Sequence, residues 1–128
     1  MKPELMWLVW AVALAVVQIV VAVTGAFLQV GLLPLVGNRE NFPVLAGWAG
    51  RADRAYRNML QCLVLFAPLV LVAVVAGKTS SATLLGAQLV FWARVVYAFV
   101  YLAGIPWLRT AVWTVSVVGL AIIFFQLV

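Results

Sequence analysis

The sequence predicts an all-α fold, a bundle of four helices set in a membrane, and three observations carry that prediction. Apolar residues make up 68% of the 128 positions and mean hydropathy is +1.22, which fits a chain whose solvent is lipid. Charged residues amount to 9%, against roughly 25% in an ordinary soluble domain. The apolar residues also fall in long runs separated by short polar or Gly/Pro-containing breaks. The length suits one transmembrane domain over residues 1–128.

The first span runs from Leu5 to about Val36 and is interrupted by Gln18, Thr24, Gly25, Gln29 and Pro34. A span needs about 20 residues, so this stretch predicts one long helix that tilts or extends beyond the membrane. A cleaved signal peptide is the competing reading. The apolar run argues against it, because it continues past any small-residue cleavage site with only Lys2 ahead of it. Trp7 and Trp10 fit an interfacial aromatic belt, and Gln18 and Gln29 are expected to hydrogen-bond between helices.

Residues 37–53 form the one substantial polar connection, with Gly37, Asn38, Pro43, Gly47 and Gly50 as loop formers. Asp53 is placed to cap the next helix, its carboxylate facing the orphan amides. The second span runs from about Arg54 to Ala76, and Pro68 within it is expected to kink the helix, which membranes tolerate. A turn follows at 77–82, then a third span from about Thr83 to Ala103. Gly104-Ile105-Pro106 breaks the chain, and Pro106 suits the first turn of a fourth helix over about 106–127.

Four spans put both termini on one side. The loop after span one and the break before span four lie opposite, with Arg39, Arg51, Arg54, Arg57 and Arg109 near them, against Lys2 and Lys78 on the terminal side. The positive-inside rule then predicts cytoplasmic Arg-rich loops and external termini. The net charge of +5 is explained by this topology and by anionic small molecules, not by nucleic acid.

Absences narrow the chemistry. Without histidine there is no imidazole base and no His-ligated metal, and a single cysteine, Cys62, forms no internal disulfide or CxxC pair. No metal site is expected. Cys62 reads as a small buried hydrophobe. The acids are Glu4, Glu40 and Asp53, none deep in an apolar run. Any reaction must use Arg, Tyr, Asn or Gln, or a nucleophile brought by a substrate.

Two polar stripes meet that need. Arg54, Arg57, Asn58 and Gln61 fall at i, i+3, i+4 and i+7, on one face of span two. In span three Arg94, Tyr97 and Tyr101 fall at i, i+3 and i+7. Arg94 lies roughly 13–14 Å along the helix from the Gly104 break, at the 1.5 Å rise of an α-helix, which is deep for snorkelling. Arg109 follows on the first turn of span four. Singly, Arg51, Arg54 and Arg109 read as positive-inside anchors, and Tyr97 and Tyr101 as packing or interface aromatics. Jointly, these arginines with almost no acids to pair them point to an anionic ligand, for which a guanidinium fork is suited.

The pattern Arg54-x-x-Arg57-Asn58-x-x-Gln61, with Arg94-x-x-Tyr97-x-x-x-Tyr101 and Leu108-Arg109-Thr110, resembles the MAPEG family, the membrane-associated proteins in eicosanoid and glutathione metabolism. The stretch Gly37-Asn38-Arg39-Glu40-Asn41-Phe42-Pro43 resembles the first loop of bacterial members. The resemblance implies a homotrimer of four-helix subunits in a bacterial inner membrane, binding glutathione as co-substrate at each subunit interface. It implies that Arg54, Arg57 and Asn58 hold the tripeptide, that Gln61, Arg94, Tyr97 and Tyr101 complete the ligand site, and that Arg109 stabilises the glutathione thiolate. The sequence departs from the pattern at Gln61, where many members carry glutamate, and at Tyr97, where some carry histidine.

The function so implied is a glutathione transferase or peroxidase acting on lipophilic electrophiles. A non-catalytic MAPEG-like scaffold or ligand-binding protein is the alternative. A small proton-coupled transporter would need a membrane-embedded carboxylate, and the spans carry none after Glu4.

Overall fold

A computed structural model of the chain describes residues 1–37 and 43–128, and its regular structure is entirely helical. The helices are α1 (Pro3–Val30), α2 (Leu32–Val36), α3 (Gly47–Val75), α4 (Ser81–Ala103) and α5 (Pro106–Leu127). All but α2 are long and apolar enough to cross a membrane. The shortest of these has 22 residues. At 1.5 Å per residue that is about 33 Å, sufficient for a hydrocarbon core of about 30 Å.

Two expectations from the sequence are corrected. The first span is not one helix over 5–36, because α1 ends at Val30 and Gly31 breaks the chain with φ 81°. Pro34 is the cause: it has no N–H to offer the Val30 carbonyl, and its ring crowds that carbonyl. Gly31 tolerates the left-handed turn that results and donates its N–H to the Phe27 carbonyl at 3.0 Å. Nor does Asp53 cap α3. That helix begins at Gly47, its N-cap is Ala46, and Asp53 sits inside it. The residue that fixes this start is Gln29 of α1. Its Nε2 donates to the Ala46 carbonyl at 2.6 Å and its Oε1 accepts from the Ala46 amide at 3.0 Å. Gly47 and Gly50, expected in the loop, are thereby part of the helix.

Other local signals behave as the residue chemistry dictates. α3 continues through Pro68. Ser80 and Thr83 form a reciprocal capping box at the start of α4, which ends on Gly104 in the left-handed conformation. Pro106 lies in the first turn of α5, where a missing amide costs nothing.

The core lies between α1, α3, α4 and α5, around Met59, Phe66, Val70, Val90 and Ile123 with Ala11, Ala15 and Ala87 between them. α1 presents Ala11, Ala15, Ala22 and Ala26 on its buried face beside Gln18, and these small residues let α3 approach closely. At the α4–α5 crossing two glycines meet. A Cβ on Gly86 would lie 2.8 Å from the Gly119 carbonyl oxygen, and one on Gly119 would lie 2.8 Å from that of Gly86. Gln29 makes the interhelical bonds expected of it, but Gln18 makes none among the described residues. Its Oε1 is buried without a partner, because alanines face it across the packing seam.

Candidate functional site

The eight residues picked out by the two stripes come from three helices. The first four lie on α3, Arg94, Tyr97 and Tyr101 on α4, and Arg109 on the first turn of α5. The break at Gly104 brings α5 back alongside α4, so Arg109 returns to the level of Tyr101. Its guanidinium carbon lies 4.6 Å from the Tyr101 ring centroid, within cation–π range. From the other side Arg54 donates its Nε to the Tyr101 hydroxyl at 3.2 Å. Tyr101 is therefore the point at which an α3 arginine and an α5 arginine converge. Tyr97 packs against it with ring centroids 5.6 Å apart, and both tyrosines are buried.

Deeper in the bundle Arg94 is 1% exposed, the largest fully buried side chain among the described residues. Its guanidinium carbon lies 4.2 Å from the centroid of the Tyr97 ring, and its Nη2 donates to Asn58 Oδ1 at 2.7 Å. Its Nε and Nη1 are buried without partners. An ion removed from water in this way is costly unless paired, and no carboxylate among the described residues pairs it. The arrangement is electropositive.

The eight residues do not line one cavity. Arg54 and Arg57 open on a cavity of about 430 Å³ beside Ala22, Val23 and Ala26 of α1. Asn58, Gln61 and Arg94 line a separate cavity of about 160 Å³, closed by Cys62, Trp113 and Ser116. The tyrosine pair and Arg109 lie elsewhere, joined to the first group by Arg54. Arg57 points outward and is held by Asp53 in a 3.1 Å ion pair, i to i+4 on the helix surface. Gln61 is exposed and makes no hydrogen bond among the described residues.

Some participants escaped the sequence reading. Trp113 and Ser116 follow Arg109 at i+4 and i+7, the same helical signal that identified the other stripes. Arg51, expected only as a topology anchor, donates Nε to the Leu102 carbonyl at 2.9 Å and so satisfies the C-terminal end of α4. At the opposite end of the bundle Glu4 is buried and its Oε1 accepts from Thr83 Oγ1 at 3.0 Å. Arg39 and Glu40, with the rest of the loop motif over 38–42, lie outside the described residues.

Four apolar spans around a buried arginine define a multi-pass α-helical membrane protein. A family model described as the MAPEG family matches residues 6–128, nearly the whole chain, and the protein belongs to that family. No curated protein and no solved structure matches it.

Proposed function

We propose that this protein is a glutathione-dependent membrane enzyme, a transferase or peroxidase that acts on lipophilic electrophiles as a homotrimer. The observation that carries the reading is the convergence of Arg54 and Arg109 on Tyr101, a site rich in donors and poor in acids. It fits an anionic ligand, since a guanidinium presents a fork of N–H donors matched to a carboxylate and stabilises other anions beside it. Arg54, Arg57 and Asn58 grip the tripeptide, with Gln61, Arg94, Tyr97 and Tyr101 shaping the rest of the site. Glutathione supplies the thiol. Arg109, at a helix N-terminus, favours its ionised form, because positive charge stabilises the thiolate that acts as nucleophile. The electrophile reaches the sulfur from the lipid. The membrane is a bacterial inner membrane, with the Arg-rich loops cytoplasmic and both termini outside, the sense in which the arginines cluster.

A second reading, a ligand-binding member without catalysis, is favoured by one observation: Arg57 is already neutralised by Asp53, and Gln61 brings no charge. The experiment that separates the two is glutathione titration of detergent-purified protein, followed by thiolate absorbance and conjugation to an aryl halide. The catalytic reading expects binding, a thiolate band and product, with Arg109→Ala retaining binding while losing the band. Binding without either band or product in the native protein selects the second reading. Absence of binding at millimolar glutathione eliminates the catalytic reading.

A further inference from the structure

The cavity of about 160 Å³ between α3, α4 and α5 has an electrostatic character that goes beyond the proposed grip on glutathione. Its wall includes a guanidinium that is 1% exposed and has two N–H-bearing nitrogens without partners. No carboxylate among the described residues lines it. Of the described acids, Asp53 is bound to Arg57 and Glu4 is bound to Thr83, so neither compensates Arg94. The neutral groups reinforce the sign. Asn58 turns its Oδ1 towards Arg94, which leaves its amide N–H₂ as a donor. Ser116 spends its hydroxyl proton on the Trp113 carbonyl at 2.7 Å and adds only an uncharged oxygen. Against a full buried charge, that oxygen and the neutral Gln61 carbonyl do not change the balance.

We propose that the Asn58–Gln61–Arg94 cavity receives an anionic group of the ligand and excludes a cationic amine. The ligand class is then a thiol carrying carboxylates, for which a free amino group confers no affinity. An ammonium placed beside Arg94 would meet an unpaired like charge, whereas a carboxylate would compensate a positive charge that the protein leaves unpaired. Gln61 marks where this selectivity is set. Exposed on the cavity rim, it is the position at which one added negative charge would offset Arg94 without disturbing the core.

The inference rests on the glutathione reading, and its test keeps the two apart. Dissociation constants in detergent are measured by calorimetry for glutathione and for its desamino analogue, glutaryl-cysteinyl-glycine, which keeps the thiol and both carboxylates. The native protein is expected to bind the analogue as tightly as glutathione or more tightly. Gln61→Glu is expected to shift the ratio of the two constants towards the amine-bearing ligand by about tenfold, the effect of one modest charge interaction. Glutathione binding tenfold or more tighter than the analogue in the native protein would overturn the inference while leaving the glutathione reading in place. A ratio unmoved by Gln61→Glu would do the same. If neither thiol binds, the glutathione reading falls and this inference with it.

Discussion

Arg94 Nη2 and Asn58 Oδ1 are 2.7 Å apart, and this hydrogen bond is the only one the Arg94 side chain makes among the described residues. It ties the second and third membrane spans together at the level where the two polar stripes face each other. Arg94 and Asn58 are 36 residues apart in sequence, yet each lies on a stripe that helical spacing alone identifies. The bond also has a directional consequence. It fixes the Asn58 amide with its donor side free, so the buried arginine orients a group that lines the cavity of about 160 Å³.

Removing that bond should be costly. Asn58→Ala leaves Arg94 with no hydrogen-bonding partner among the described residues, and a bond to a charged group contributes about 1.5–3 kcal/mol. Unfolding in detergent should show a loss of that size. Asn58→Asp should retain or raise stability, because a carboxylate at that position pairs the buried charge. Equal stability of the native protein and Asn58→Ala would show that Arg94 finds compensation elsewhere.

The Tyr101 hydroxyl organises the other half of the site. Tyr101→Phe keeps the ring on which Arg109 rests but removes the acceptor of Arg54 Nε. Because the donor is a charged guanidinium on an exposed arginine, the loss should be about 1.5 kcal/mol, roughly a tenfold weaker hold on glutathione, with the fold preserved. Affinity equal to that of the native protein would mean that the hydroxyl does not set the orientation of Arg54.

The parts of the fold legible in the sequence were those written in local periodicity or in a single residue's chemistry. Four apolar runs, Pro106 at a helix start and Gly104 at a helix end each follow from rules that need no tertiary partner. The start of α3 was not legible in that way. Asp53 looked like a cap, but Gln29, 17 residues upstream of Ala46, captures both backbone groups there and moves the start back to Gly47. The stripe positions were also legible, whereas their division between two cavities was not, since that depends on how α1 and α5 flank α3. Arg94 illustrates both sides. Its depth was visible from its distance to Gly104, but its partner was visible only in the folded chain.

The crossing of α4 and α5 depends on two glycines. In Gly86→Ala the new methyl would sit 2.7 Å from Ile123 Cγ1 and 2.8 Å from the Gly119 carbonyl oxygen. Gly119→Ala would meet Val90 Cγ2 at 2.8 Å as well as Gly86. Each should destabilise by about 1–3 kcal/mol, the usual cost of forcing an extra methyl into a packed contact. Because both force the same two helices apart, the double variant should cost less than the sum. Strict additivity in denaturant or thermal unfolding would show that the two positions do not share a contact.

At the terminal end of the bundle a single hydroxyl serves two structures. Thr83 Oγ1 accepts the Ser80 amide at 2.7 Å, completing the capping box of α4, and lies 3.0 Å from the buried Glu4 Oε1. Thr83→Val keeps the side-chain shape and deletes both Oγ1 interactions, while Ser80 Oγ still accepts the Thr83 amide. The half of the capping box that is lost is worth about 0.5 kcal/mol, the low end for a cap, and a buried acceptor left without its donor costs about 1–3 kcal/mol. Unfolding should therefore register a combined loss of about 1.5–3.5 kcal/mol. Thr83→Ser should recover most of it, because the hydroxyl returns. Adding Glu4→Gln to Thr83→Val should recover only the share that belongs to the stranded carboxylate, since the amide is cheaper to bury than an anion while the cap stays broken. If Thr83→Val costs no more than a cap, Glu4 draws nothing from Thr83 and its burial must be compensated by water at the bundle end.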